Sequence, residues 1–191
     1  MEIIPINDKY IHQIAELHKK AFPKYHFTSR FSIKFLEQYF RCLIKYLEFP
    51  YMIIGGNQQL IGYFIGGSNS ARAISAFYKE HWLKIILLLL KNPSFIWEKF
   101  LIMLDSASIG IKDNSKRYSG YVICVDPDLQ IPAAGYVLIK NFEDKLIENN
   151  IKEYYVSIRP DNYKVIEWYE KMNFVKFEKK KSTIVYKKTL I

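Results

Sequence analysis

Asn162 and Tyr169 are two residues whose types and spacing point to chemistry. They stand seven apart in a segment with helical periodicity. At ~100° per residue they return to one face, roughly 10.5 Å apart along the axis. A tyrosine hydroxyl there suits a general acid, giving its proton to a leaving group. The same position also suits a core aromatic beside Ile166 and Met172. A second group is Gln130-Ile131-Pro132-Ala133-Ala134-Gly135, followed by Tyr136. Small residues let backbone approach a ligand closely. A helix opening on them presents unpaired N–H groups and the positive end of its dipole, a cradle for an anion and most often for phosphate. Small residues at such a turn also occur for packing alone. Pro132 removes one N–H from the set. His26, in a stretch without helical period, is the titratable side chain best suited to take up a proton near neutral pH. An exposed loop histidine is its alternative reading.

The elements that must position these groups are legible around them. Tyr121 to Val125 is rich in β-branched types and is stopped by Asp126-Pro127-Asp128, so a strand precedes the small-residue turn. A helix starts near Ala133 to Tyr136, with Leu138, Phe142 and Leu146 at helical spacing and Ile139 and Ile147 widening the stripe. Glu153 to Ile158 is a second strand, and a helix runs from Asn162 towards Met172.

Together these segments resemble the GNAT superfamily of N-acetyltransferases. Its signature is a strand ending V-x-P-x-x-Q/R-x-x-G-x-G/A, a helix, a strand, then N-x-x-A-x-x-x-Y-x-x-x-G-F. Val125, Pro127, Gln130 and Gly135 match at that spacing, as do Asn162, Tyr169 and Phe174. Ala133 replaces the first motif glycine, Val165 stands where a small residue is usual, and Asn173 replaces the last glycine. Asparagine is the next-best residue for a left-handed helix cap.

The resemblance implies one α/β (mixed α+β) domain over residues 1–191. Its central sheet would be twisted and mostly antiparallel, with about seven strands, splayed between the fourth and fifth and flanked by helices. It implies acetyl-CoA or another acyl-CoA as donor, and no metal. Backbone groups of Ile123, Cys124 and Val125 would bind the pantetheine arm. N–H groups around Gln130, Ala133, Ala134, Gly135 and Tyr136 would hold the pyrophosphate. Asn162 would bond the cofactor arm, and Tyr169 would protonate the departing thiolate. Many relatives keep a basic carboxylate on or near the fourth strand. Tyr118 to Val125 has none, which leaves His26 or a water relay to deprotonate the amine.

The rest of the chain is read in order. Glu2 to Ile6 is a first strand, and Asn7 or Asp8 caps a helix with Ile11, Ile14, Ala15, Leu17, Ala21 and Phe22 on its apolar side. Pro23 to Arg30 is a loop over the acceptor region. Ser32 caps a long amphipathic helix through Glu48. Tyr51 to Ile54 and Leu60 to Gly67 form a hairpin about Gly55 to Gln59. Residues 71–112 are a helical insertion between the third and fourth strands: one helix from Ala73 to Lys91, and a second from Pro93 to Leu104 with Phe95, Trp97, Phe100 and Leu101. Neither reaches the roughly 20 apolar residues needed to span a bilayer. The insertion can be a lid or extra core, a homodimer face, or a membrane-surface contact.

The chain carries a net charge of +9 and 191 residues, half of them hydrophobic. This is a globular domain and not a disordered one. No nucleic-acid signature accompanies the charge, so a phosphate-rich small molecule is the expected partner and nucleic acid is not. A polycationic acceptor such as a polyamine fits poorly. The two cysteines, Cys42 and Cys124, sit in apolar periodic stretches and read as buried thiols. They suit a cytoplasmic setting, as does the acidic, proline-stopped start Met1 to Pro5. The insertion and the lysine- and aromatic-rich body are more loosely similar to enzymes that acylate nucleotide-linked amino sugars for surface polysaccharide. Other readings are acetylation of a protein N-terminus or another small amine, and a non-catalytic CoA-binding module.

Overall fold

Leu60–Gly67 is buried at every position, which is why it reads LIGYFIGG with no polar alternation. It is the third strand, β3, of a sheet covered on both faces. The computed structural model describes residues 1–23, 26–93, 95–96, 117–129, 131, 133–180 and 182–190. Before β3 come β1 (Glu2–Pro5), α1 (Ile11–Ala21), α2 (Ile33–Tyr46) and β2 (Phe49–Ile54). After it come α3 (Ser70–Glu80), α4 (Trp82–Lys91), β4 (Ser119–Val125), α5 (Ala134–Glu148), β5 (Glu153–Ile158), α6 (Tyr163–Lys171), β6 (Val175–Lys179) and β7 (Ile184–Thr189).

The seven strands lie in the order β1-β2-β3-β4-β5-β7-β6. Every neighbouring pair is antiparallel except β4 and β5, which are parallel. Tyr63 and Ile65 of β3 pack into a core with α1, α2 and α3, while Phe64 between them points into the opposite core with α5 and α6. Phe142 of α5 is fully buried at the centre of that second core. Its ring centroid lies 4.6 Å from Phe64, 5.5 Å from Phe49 and 5.1 Å from Tyr154, so it touches β2, β3 and β5 at once. Beside it the buried Glu143 carboxylate accepts from the Tyr154 hydroxyl at 2.7 Å and pairs with Lys188 Nζ at 2.7 Å, tying α5 to β5 and β7. A buried carboxylate is tolerated because both partners reach it.

The mixed α/β sheet architecture matches the expected fold, with local differences. Ser32 caps α2 as expected, its hydroxyl accepting from the Phe35 amide at 3.2 Å. The helix stops at Tyr46 and not Glu48, whose carboxylate instead accepts from the Ser68 amide and hydroxyl and from Asn69 at the start of the insertion. The stretch expected as a loop contains a 3₁₀ turn, Phe27–Arg30, with Phe27 and Thr28 buried. Asn7 caps a short 3₁₀ turn, Asp8–Tyr10, ahead of α1.

The single helix expected from Ala73 to Lys91 is two, parted at His81, whose backbone leaves the helical region. The His81 ring packs edge-on to Phe77 and Phe35 at this corner. On α4 only Ile85 is buried, and Trp82, Leu83, Ile86, Leu87 and Leu90 are exposed. No helix among the described residues is long and apolar enough to cross a membrane. Gln130, Pro132 and the second insertion helix beyond Ile96, with Trp97, Phe100 and Leu101, lie outside the described residues.

Candidate active site

The parallel strands β4 and β5 pair only at Ser119–Tyr155 and Gly120–Val156, and then part. Gly120 sits at the point of divergence. A Cβ there would come within 3.2 Å of Val156 Cγ1 and 3.3 Å of Phe64, so any larger residue would push the strands at their last shared pair. Beyond it, peptide groups of Tyr121 to Val125 make no ladder bonds with β5. The gap opens into a cavity of about 370 Å³. Ile123, Cys124 and Val125 line it from β4, Asn162 and Tyr169 from α6, and His26 from the segment after α1. A second cavity, of about 430 Å³, shares Phe22, His26, Gly120, Tyr121, Val122 and Ser157 with the first and is also lined by Arg117 and Lys180. The two therefore adjoin, with His26 in the wall they share.

Tyr169 combines both roles its position allows. Its ring is buried, edge-on to Trp168 and Phe174, each 4.8 Å away. Its hydroxyl has no hydrogen-bond partner among the described residues, and the residue lines the 370 Å³ cavity. Burial pushes its pKa up, so the proton stays on oxygen across the physiological range. The helix that carries it ends with Asn173 at φ 64°, in the left-handed region, and the Phe174 amide bonds back to the Tyr169 carbonyl at 3.1 Å. Asn162 is the cap residue of α6 and makes no side-chain capping bond.

Ala133, Ala134, Gly135 and Tyr136 form the start of α5 but are not among the residues lining either cavity. Ala134 is fully buried, while Ala133 and Tyr136 are exposed. A Cβ on Gly135 would touch Trp168 Cζ2 at 3.4 Å and Val125 Cγ2 at 3.9 Å. The lack of a side chain thus brings α5 close to α6 and to the end of β4, beside the gap. Lys20 of α1 pairs with Asp126 at 2.6 Å and Asp128 at 2.7 Å, fastening α1 to the turn after β4. Burial alone would raise the Asp126 pKa, but the Lys20 ammonium and the Asp128 amide outweigh it and hold the carboxyl below its ordinary value.

The residues that the expectations missed lie behind His26. The His26 Nδ1 is 2.8 Å from Thr28 Oγ1, which is 2.6 Å from His18 Nε2. The His18 Nδ1 is 2.8 Å from the Tyr63 hydroxyl. A signal for His18 was present: it falls four residues after Ile14, on the apolar stripe of α1, where a polar side chain needs a buried partner.

Burial, followed by the nearby His26, drives the His18 pKa down to about 3. An unfolded histidine titrates near 6.5, so below that pH the unfolded chain binds a proton that the native protein refuses. Stability is full above about pH 6.5 and should fall as pH drops towards about 3, at up to about 1.4 kcal/mol per unit from this one group. Urea unfolding of the protein across pH 7.5 to 4.5 should show this loss, and a His18→Gln variant should flatten the slope. Equal slopes in the two proteins would assign the acid sensitivity elsewhere.

No model of a known protein family matches the chain, and no curated protein sequence does. Solved structures do match. An acetyltransferase of the GNAT family from Listeria monocytogenes is 14% identical with a TM-score of 0.63, over 99% of this chain and 94% of that one. An acetyltransferase from Thermus thermophilus is 12% identical with a TM-score of 0.62, over 99% and 96%. The PaiA N-acetyltransferase from Thermoplasma acidophilum, solved in complex with coenzyme A, is 12% identical with a TM-score of 0.59, over 98% of each chain. The fold of this chain is therefore the GNAT fold.

Proposed function

We propose that this protein is an acyl-CoA-dependent N-acyltransferase acting on a primary amine that carries anionic groups, a nucleotide-linked amino sugar being the favoured acceptor. The observation that carries this reading is the parting of β4 from β5 above a cavity lined by Asn162 and Tyr169. An extended thioester arm could lie against the open edge of β4 as an added strand, bonded by backbone at Ile123, Cys124 and Val125. The first turn of α5 starts beside the end of β4, and its first amides, Gly135 and Tyr136 among them, are without intrahelical acceptors, a place for the pyrophosphate. His26 takes the proton from the attacking amine, and Tyr169 gives one to the departing thiolate.

The second cavity supports the acceptor class. The Arg117 guanidinium lies over the Tyr155 ring at 4.2 Å and the Phe177 ring at 5.3 Å, which holds it in place, and Lys180 lines the same space. A held guanidinium with an ammonium beside it suits phosphates, although Glu178 lies 4.0 Å from the Lys180 Nζ. Purified protein should therefore release thiol from acyl-CoA fastest with phosphorylated amino sugars. Arg117→Ala should raise the KM for that acceptor about tenfold with kcat little changed, since uniform binding is lost. Release with peptide N-termini and not with phosphorylated amines would replace this acceptor with a protein one. No thiol release with any acyl-CoA and amine pair would refute the enzyme reading.

A further inference from the structure

We propose that the exposed face of α4 docks on an anionic bilayer surface, lying in its interface without crossing it. Trp82, Leu83, Ile86, Leu87 and Leu90 are between 46% and 66% exposed. They fall at i, i+1, i+4, i+5 and i+8, so at ~100° per residue they form one stripe along the helix. Ile85, with Leu88 and Leu89, lies on the other side and packs into the core beneath α1, α2 and α3. The helix is therefore anchored by one apolar face and presents a second to solvent. Its ten residues are too few to span a bilayer, which needs roughly 20.

Charge selects the occupant of that second face. The helix reads WLKIILLLLK, with two lysines and no acid. Lys84 and Lys91 fall on one flank of the stripe, and Lys79 stands at the end of α3 just before it. All three are exposed, and none makes an ion pair among the described residues. Glu80, the carboxylate nearest in sequence, lies 3.7 Å from His81 instead. An apolar stripe with a tryptophan at one end and ammonium groups on its flank suits the boundary of an anionic membrane. Its apolar side chains enter the acyl region, and its lysines meet lipid phosphates.

A second copy of the chain is the other apolar surface to weigh. Pairing stripe to stripe would bring like-charged flanks together on a protein of net charge +9. From their exposed fractions the five side chains offer roughly 500 Å², against ~800 Å² per partner in a stable interface. A bilayer needs no matching surface, and each inserted methylene and each lysine adds to binding. The two contributions act together, so attachment should be reversible and should require both. Salt screens the lysine part over ~10 Å at 0.1 M and leaves the apolar part.

Sedimentation of the full chain with vesicles tests this. Phosphatidylcholine vesicles containing about one-third phosphatidylglycerol should bind it at least about tenfold more tightly than phosphatidylcholine alone. The anionic vesicles should shift tryptophan emission to the blue, and Trp82→Phe should lose most of that shift. Leu83→Asp with Leu87→Asp should weaken binding about a hundredfold while the thermal midpoint stays near the parent's, because both positions face solvent. Lys79→Gln, Lys84→Gln and Lys91→Gln together should remove most of the preference for anionic lipid. Failure of the unaltered chain to bind the anionic vesicles overturns the proposal and needs no variant to fold. So does an emission shift that survives Trp82→Phe. A dimer in analytical ultracentrifugation that Leu87→Asp dissolves overturns it in favour of a second copy. None of these readouts uses turnover, so they stand or fall apart from the acyltransferase reading.

Discussion

Tyr169→Phe should lower kcat by about two orders of magnitude and leave acyl-CoA affinity nearly unchanged. General acid catalysis typically contributes ~10²-fold or more, about 2.7 kcal/mol of barrier. The ring would keep its contacts with Trp168 and Phe174, so the variant loses an oxygen and little packing. The hydroxyl has no protein partner among the described residues, so thermal stability should hardly move. An interaction made in the transition state and not in the ground state shows itself in kcat. The direction of the pH effect also follows. Burial holds the phenol protonated, so its own titration does not enter the working range. The thiolate leaves more readily unprotonated as pH rises, so the defect should shrink with pH. Near-normal kcat, with chemistry shown to be rate-limiting, would remove Tyr169 from the proton path. A defect that does not change with pH would make it a residue that orients the thioester.

Phe142→Ala should cost about 3–5 kcal/mol of folding free energy, the usual range for a fully buried aromatic truncated in a core that cannot close around the gap. The position is unusual in what it joins. Phe64 lies on the β3 side of the parted strands and Tyr154 on the β5 side, and Phe142 holds a ring contact with each. The loss should therefore appear twice: as a lower midpoint in denaturant, and as weaker ligand binding in the surviving native protein, because the two halves of the sheet lose their shared wedge. Phe142→Leu refills most of the volume and should recover over half of the stability. A Phe142→Ala midpoint within experimental error of the parent would mean that the second core rests on other contacts.

Much of this architecture was legible because neighbours in sequence carried it. The apolar run Leu60–Gly67, the strand Glu153–Ile158 and the cap at Ser32 are local signals, and each element formed where its residues place it. Asn173 adopts the left-handed backbone that its place in the motif requires. The small-residue turn allowed a ligand contact or packing, but not the packing partner: Gly135 faces Trp168, a residue 33 positions later whose approach no local pattern announces. His26 and Tyr169 could be singled out one by one. That both line one cavity depends on the segment after α1 reaching across β4, which is tertiary. The leucine run of α4 left lid, core, dimer-face and membrane-surface readings open because hydrophobicity has no sign for outside. Its exposed Leu83, Leu87 and Leu90 show that apolar composition fixes helicity more firmly than burial.

The gap between β4 and β5 has a consequence for handling the protein. The outer edges of the sheet are guarded in the usual ways: β1 has four residues and ends at Pro5, and β6 carries Lys176 and Lys179. The inner edges cannot be guarded so, because charge or proline there would spoil the slot. Tyr121 to Val125 thus offers an extended, apolar template in the middle of the molecule to any strand that can enter, including one from a partly folded copy. A bound thioester arm occupies that template. Shelf life and resistance to clumping should then track occupancy of the slot, and a preparation stripped of ligand should be the first to precipitate.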